Sequence, residues 1–218
     1  MTGSSSGIGA AIAARLTADG WRVVGLDRAA RPANSELASA LAIDLADADT
    51  VGAAAAELRG ARALVHAAGF MRTAPLATLD IRDGAAMWAV HVQALTVLAK
   101  TLAPEMGAGG RIVAIGSRTS AGAANKSQYA ACKAAVTALI RSWAIELAPR
   151  GVTANVIAPA ATATTMLSDP DRTVAPITPP IGRFINPEEI AAYAAFLLSA
   201  DAAAITGQEL LICGGASL

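Results

Sequence analysis

Cysteine is scarce in this chain: Cys132 and Cys213 stand far apart among 218 residues, and no charged-then-apolar leader opens the sequence. A secreted disulfide scaffold is therefore not expected, and the composition reads as that of a reduced, cytoplasmic protein. An excess of one charge sign is also missing, because seventeen basic residues balance seventeen acidic ones. That balance offers no electrostatic footprint for nucleic acid or a membrane surface, so neither is expected as a partner. Aromatic residues make up 4% and charged residues 16%. The 54% hydrophobic content comes largely from alanine spread through helical patterns, and no run of eighteen apolar residues appears, so no membrane span is expected. Internal repeats and low-complexity tails are absent, and the length suits one domain, 1–218.

What is present is alternation. Short apolar runs at 22–26, 40–43, 62–65, 111–115, 152–157 and 209–213 take turns with segments of helical period at 8–19, 47–59, 80–106, 127–148 and 187–199. Short continuous apolar strands separated by helices predict an α/β fold, a parallel sheet covered by helices on both faces. Pro187 behind Asn186, followed by Glu188 and Glu189, is a strong helix start. The stretch 160–186, with prolines at 170, 176, 179 and 180, is the least regular and is the candidate substrate loop. The helices at 127–148 and around 87–102 carry polar stripes too narrow for a monomer, which predicts burial in a symmetric oligomer.

The run Thr2-Gly3-Ser4-Ser5-Ser6-Gly7-Ile8-Gly9 leads straight into a helical pattern. Glycines at 3, 7 and 9 allow a tight turn whose N–H groups approach a pyrophosphate at a helix N-terminus. Asp27 ends the next strand eighteen residues beyond Gly9, where an acid can bind the adenosine ribose hydroxyls and repel a 2′-phosphate. The pattern favours NAD over NADP, with Arg28 as the residue that could accommodate the phosphate. Such a turn normally follows a central strand of about five or six residues. Only Met1 precedes Thr2, so most of that first strand is expected to be lacking and the start to be misplaced.

Tyr129 and Lys133 are four apart in a helical pattern and share a face. An ammonium close to the phenol favours the phenolate, which would make Tyr129 an acid and base near neutrality. Ser117 follows the 111–115 strand, at the carboxyl end where parallel sheets form their ligand crevice, and its hydroxyl could hold a substrate oxygen.

With these residues in hand, the chain resembles the short-chain dehydrogenase/reductases over essentially its whole length. The matching pieces include Thr2 to Gly9, Asp27, Asp44-Leu45, His66-Ala67-Ala68-Gly69 and Ser117. Tyr129 with Lys133, the stretch 155–159, and Ile205-Thr206-Gly207-Gln208 complete them. The resemblance implies a three-layer α/β/α Rossmann-type domain with a doubly wound parallel sheet. It also implies hydride transfer between NAD(P) and a small alcohol or ketone, commonly in a homotetramer. Tyr129 would be the acid/base, Lys133 would lower its pKa and bind the nicotinamide ribose, and Ser117 would orient the substrate oxygen. Gly3, Ser5, Ser6, Gly7, Ile8 and Gly9 would cradle the cofactor, whose adenine Asp44 and Leu45 would flank. His66, Ala67, Ala68, Gly69, Pro159, Ala160, Thr162 and Thr164 would line the rest of its path. No metal is implied.

Two departures concern the chain's only histidines: His66 and His91 stand where the family usually has asparagine. For His66 the expectation is a buried ring with local hydrogen bonds. For His91 two readings stand nearly level: a buried ring with local hydrogen bonds, or a part in the proton relay to Lys133 that adds a second pH dependence near neutrality. Ala160 replaces the usual glycine after Pro159, and Cys132 a frequent serine. The expected substrate is uncharged or weakly polar; Arg118, directly after Ser117, could recognise a carboxylate, but direction to solvent is the more ordinary outcome at a strand end. A non-catalytic cofactor-binding regulator of the same fold and an inactive, N-terminally truncated form are the alternatives.

Overall fold

A computed structural model describes residues 1–29, 37–168 and 175–218. Its six strands are β1 (Val24–Asp27), β2 (Ser39–Ala42), β3 (Ala63–His66), β4 (Arg111–Ile115), β5 (Thr153–Pro159) and β6 (Glu209–Ile212). The α-helices are α1 (Gly7–Ala18), α2 (Ala48–Glu57), α3 (Ile81–Trp88), α4 (Ala94–Leu102), α5 (Ser127–Leu147) and α6 (Pro187–Leu198). All strand pairs are parallel, β1 with β2 and, in order, β3-β4-β5-β6.

The two groups of strands meet through the first two residues of the chain. Thr2 forms parallel bridges to Leu26 on one side and His66 on the other. Its amide donates to Val65 O (2.9 Å), Gly3 N donates to Leu26 O (3.0 Å), and Leu26 N donates to Met1 O (2.8 Å). The Met1 ammonium donates to Val24 O at 2.6 Å, and burial pushes its pKa down to about 5. Met1 and Thr2 thus occupy the central strand position and satisfy ladder groups on both flanks.

Alternation along the buried strands sorts the core into two faces. Leu64, Ile112, Ala114 and Val156 point to the layer of α2, α4 and α5, where Val51, Leu95, Leu98, Val136 and Ile140 meet them. Val65, Val113, Ile115 and Ile157 point to α1 and α6, against Ile12, Leu16, Ile190 and Leu197. Each such side chain contributes about 1.5–3 kcal/mol of burial free energy. The helical segment expected over 80–106 runs as one continuous helix, Ile81–Glu105, in which a π-helical turn, Ala89–Gln93, centred on His91, joins α3 to α4. The whole run Ile81–Glu105 has the length and mean hydropathy of a membrane-crossing helix, but its Met87, Leu95 and Leu98 are fully buried in the core. Loop residues 169–174, including Pro170, and the stretch 30–36 after β1 lie outside the described residues.

Candidate active site

Along the carboxyl ends of the strands runs a cleft of about 1140 Å³, larger than the usual single-ligand pocket of about 300–1,000 Å³. At one end the glycine turn leads from Thr2 into α1. Gly3 has φ +69°, and a Cβ there would lie 2.6 Å from Ala68 N, while a Cβ on Gly9 would overlap Gly3 O. Only glycine lets this turn lie flat against residues 67–68. Ser6 caps α1 without a side-chain hydrogen bond, leaving first-turn N–H groups available to an anion. Asp27 is fixed beside them, its Oδ2 accepting from Ser5 N (2.9 Å) and its Oδ1 from Ala29 N (3.0 Å).

The other end holds the reactive side chains. Lys133 is 4% exposed and its Nζ donates to Ile115 O at 2.7 Å. Burial pushes its pKa down to about 8. Its ammonium lies 5.7 Å from the centre of the Tyr129 ring. Ser117 Oγ accepts from Thr119 N (3.2 Å) and is 2.9 Å from Thr119 Oγ1, so the hydroxyl is held at the tip of β4. His91 meets the Tyr129 ring edge-on, 5.7 Å between centroids. The π turn carries it there, and Gly69 leaves room for its ring, since a Cβ on Gly69 would overlap His91 Cε1.

His91 Nε2 contacts the Phe70 backbone, 2.8 Å from the carbonyl oxygen and 3.3 Å from the amide nitrogen, while Nδ1 has no hydrogen-bond partner. Burial, reinforced by the Lys133 charge, holds the ring well below the usual histidine pKa. This burial disfavours the charged ring, which speaks against a second titration near neutrality. His66 is also buried, and desolvation ahead of the Lys133 charge pushes it down to about 3. Its Nδ1 is 3.0 Å from Thr2 Oγ1, and that oxygen already accepts from Ala68 N (3.2 Å).

Of the residues singled out in the sequence, Gly3, Ser6, Gly7, Ile8, Gly9, Asp27, Asp44, Leu45, Ala67, Ala68 and Gly69 line the cleft. So do His91, Ser117, Tyr129, Lys133, Pro159, Ala160, Thr162 and Thr164. Ser5 and His66 lie off its wall, Ser5 supporting Asp27 through its amide and His66 supporting Thr2. Sequence reading missed Phe70 and Arg72 and favoured a solvent-facing Arg118, yet all three line the cleft, as do Met166 and Ile177 from the stretch 160–186 expected as the substrate loop. The position of Arg118 directly after Ser117 was the one available signal.

A glycine turn on a helix N-terminus, an acid after the next strand, and Ser117, Tyr129 and Lys133 on one parallel sheet define a nicotinamide-dependent oxidoreductase of Rossmann type. The chain belongs to the short-chain dehydrogenase/reductase family. Residues 3–217 match the sequence profile described as Enoyl-(Acyl carrier protein) reductase. The D-threitol dehydrogenase of Mycolicibacterium smegmatis is 34% identical, with 99% of this chain and 90% of that protein covered. The cis-4-hydroxycyclohexanecarboxylate dehydrogenase of Sinomonas cyclohexanicum is 36% identical, over 99% of this chain and 94% of that protein. Among solved structures, a short-chain dehydrogenase from Burkholderia cenocepacia in complex with NADP superposes with a TM-score of 0.86. It is 32% identical and covers all of this chain and 96% of that one.

Proposed function

We propose that the chain transfers hydride between NAD(H) and a small secondary alcohol or its ketone, with Tyr129 as acid and base. The observation that carries the reading is the common cleft shared by Ser117, Tyr129, Lys133 and the Gly3–Gly9 turn. When bound, the nicotinamide supplies the hydride acceptor or donor. Ser117 Oγ donates to the substrate oxygen and fixes it within reach of the Tyr129 hydroxyl. Tyr129 takes the alcohol proton in oxidation and returns it in reduction. Lys133 favours the phenolate by its charge and is held in place by Ile115 O. His91, through the open lone pair of Nδ1, holds a water that passes the proton onward, in place of the family's asparagine.

At the far end Gly3, Ser6, Gly7, Ile8 and Gly9 cradle the pyrophosphate, Asp44 and Leu45 flank the adenine, and Ala67, Ala68, Gly69, Thr162 and Thr164 line the path between. Asp27 supports the choice of NAD, since its carboxylate, held by Ser5 N, would repel a 2′-phosphate. A second reading, NADP, is favoured by Arg28 on the same wall. Two copies of the chain pair through the helix that runs from α3 into α4 and through α5, where Trp88, Val92, Val97, Ala138 and Leu139 line an open apolar groove. A homotetramer follows if a second face is used as well. Tyr129→Phe tests the central assignment: turnover falls by about 10²–10⁴ while NADH affinity stays within a few fold. Turnover that survives removes Tyr129 from its role.

A further inference from the structure

Charge is unevenly distributed along the cleft. Its acidic side chains, Asp27 and Asp44, stand at the glycine-turn end, whereas Arg72, Arg118, Lys126 and Lys133 line the reactive end. Among the described residues no Asp or Glu side chain lines that end. Arg72 is engaged there, its guanidinium 5.3 Å from the centre of the Phe70 ring. Arg118 differs: it begins the short turn after Ser117 and is half-buried. Among the described residues its guanidinium has neither an ion-pair nor a hydrogen-bond partner. A guanidinium presents a planar fork of donors that matches a carboxylate. At a cleft end where no acid lines the wall among the described residues, it offers positive potential for an anion.

We infer that Arg118 binds a carboxylate on the substrate, so that the alcohol oxidised here is a hydroxy acid and the ketone an oxo acid. The inference rests on the oxidoreductase reading above for its second half only, because the anion site itself requires no turnover. It replaces the expectation of an uncharged substrate. Since Arg118 adjoins Ser117 in the chain, the carboxylate and the reacting oxygen are read from the same strand end, and a substrate with both groups is held at two points.

The test has a binding arm and a turnover arm, both on the full chain. Cyclohexanecarboxylate and its uncharged counterpart cyclohexanecarboxamide are titrated into the protein, with and without saturating reduced cofactor. The carboxylate binds more tightly than the amide by about ten- to a hundredfold, as expected for a charge-assisted bidentate pair. In Arg118→Gln that ratio collapses toward one, and Arg118→Lys keeps part of it. Retained cofactor binding shows that both variants are folded. A ratio near one in the parent, or a preference that survives in Arg118→Gln, overturns the inference. Competition between carboxylate and cofactor overturns it too, since the anion would then occupy the phosphate cradle. In the second arm 4-hydroxycyclohexanecarboxylate and its carboxamide are offered as substrates. Equal turnover of the two without a binding preference removes the anion site and leaves the oxidoreductase reading standing. A selective, Arg118-dependent carboxylate site with no turnover of any hydroxy acid does the reverse.

Discussion

Replacing Lys133 by methionine should abolish turnover and, at the same time, alter how stability depends on pH. Lys133 is buried, and folding lowers its pKa from 10.5 to about 8. Below about pH 8 the group is charged in both folded and unfolded chains, so the folded state bears the full desolvation penalty, about 3 kcal/mol. Between about pH 8 and 10.5 the unfolded chain binds the proton and the folded chain does not. Stability therefore rises with pH through that window, and the penalty is gone above it. Methionine has no proton to bind and lacks this slope. It also loses the 2.7 Å hydrogen bond to Ile115 O, which costs about 1–3 kcal/mol at every pH. The absolute effect of the substitution is thus a near-cancellation, whereas its pH dependence is not. Urea unfolding of parent and variant at about pH 6.5 and about pH 9.5 isolates it. The variant's stability relative to the parent should fall by about 2 kcal/mol over that interval. Parallel stability curves for the two proteins would refute the reasoning.

Gly69→Ala should displace His91, because the new methyl overlaps its ring. The expected cost is about 1–3 kcal/mol in thermal or urea unfolding, with turnover falling further than cofactor affinity; unchanged stability would show that the ring can move freely. Thr2→Val removes a hydroxyl that joins His66 Nδ1 and Ala68 N and should destabilise the chain by about 1–3 kcal/mol, measured by urea unfolding. His91→Asn should leave the acid limb of the pH–rate profile between about pH 6 and 8 in place, because burial already keeps the imidazole neutral there; a shift in that limb would contradict the neutral ring. Asp27→Ala should move the ratio of NADPH to NADH affinity toward NADPH by about tenfold or more, read by fluorescence titration.

Much of this arrangement was legible before the coordinates because it rests on periodicity. The strand at 111–115 and the α/β alternation follow from buried parallel strands, and the Tyr129–Lys133 pairing follows from helical spacing. Strand ends shifted by a residue or two, as at β1 and β5, since ladder pairing rather than side-chain character sets them. The π turn at 89–93 has no signature in hydropathy: it adds one residue to a helical turn and brings His91 under Gly69 and against Tyr129. The neutrality of His91 and His66 is likewise a property of the folded surroundings. A sequence shows an imidazole but not its burial. The scarcity of residues before Thr2 was visible, but the double pairing of Thr2 with Leu26 and His66 was not. Arg118 stands directly after Ser117, and its place on the cleft wall follows from the cleft's shape, which the sequence does not show.

The most direct test of the central claim is a fluorescence titration of the 218-residue chain with NADH and, separately, with NADPH. The glycine cradle, Asp27 and the pairing of Met1 and Thr2 that joins the two halves of the sheet all have to be in place for binding. Saturable binding of NADH, well ahead of NADPH, is the predicted result. Tighter NADPH binding would contradict the role given to Asp27 and select the Arg28 reading, and binding of neither would contradict the cofactor site itself.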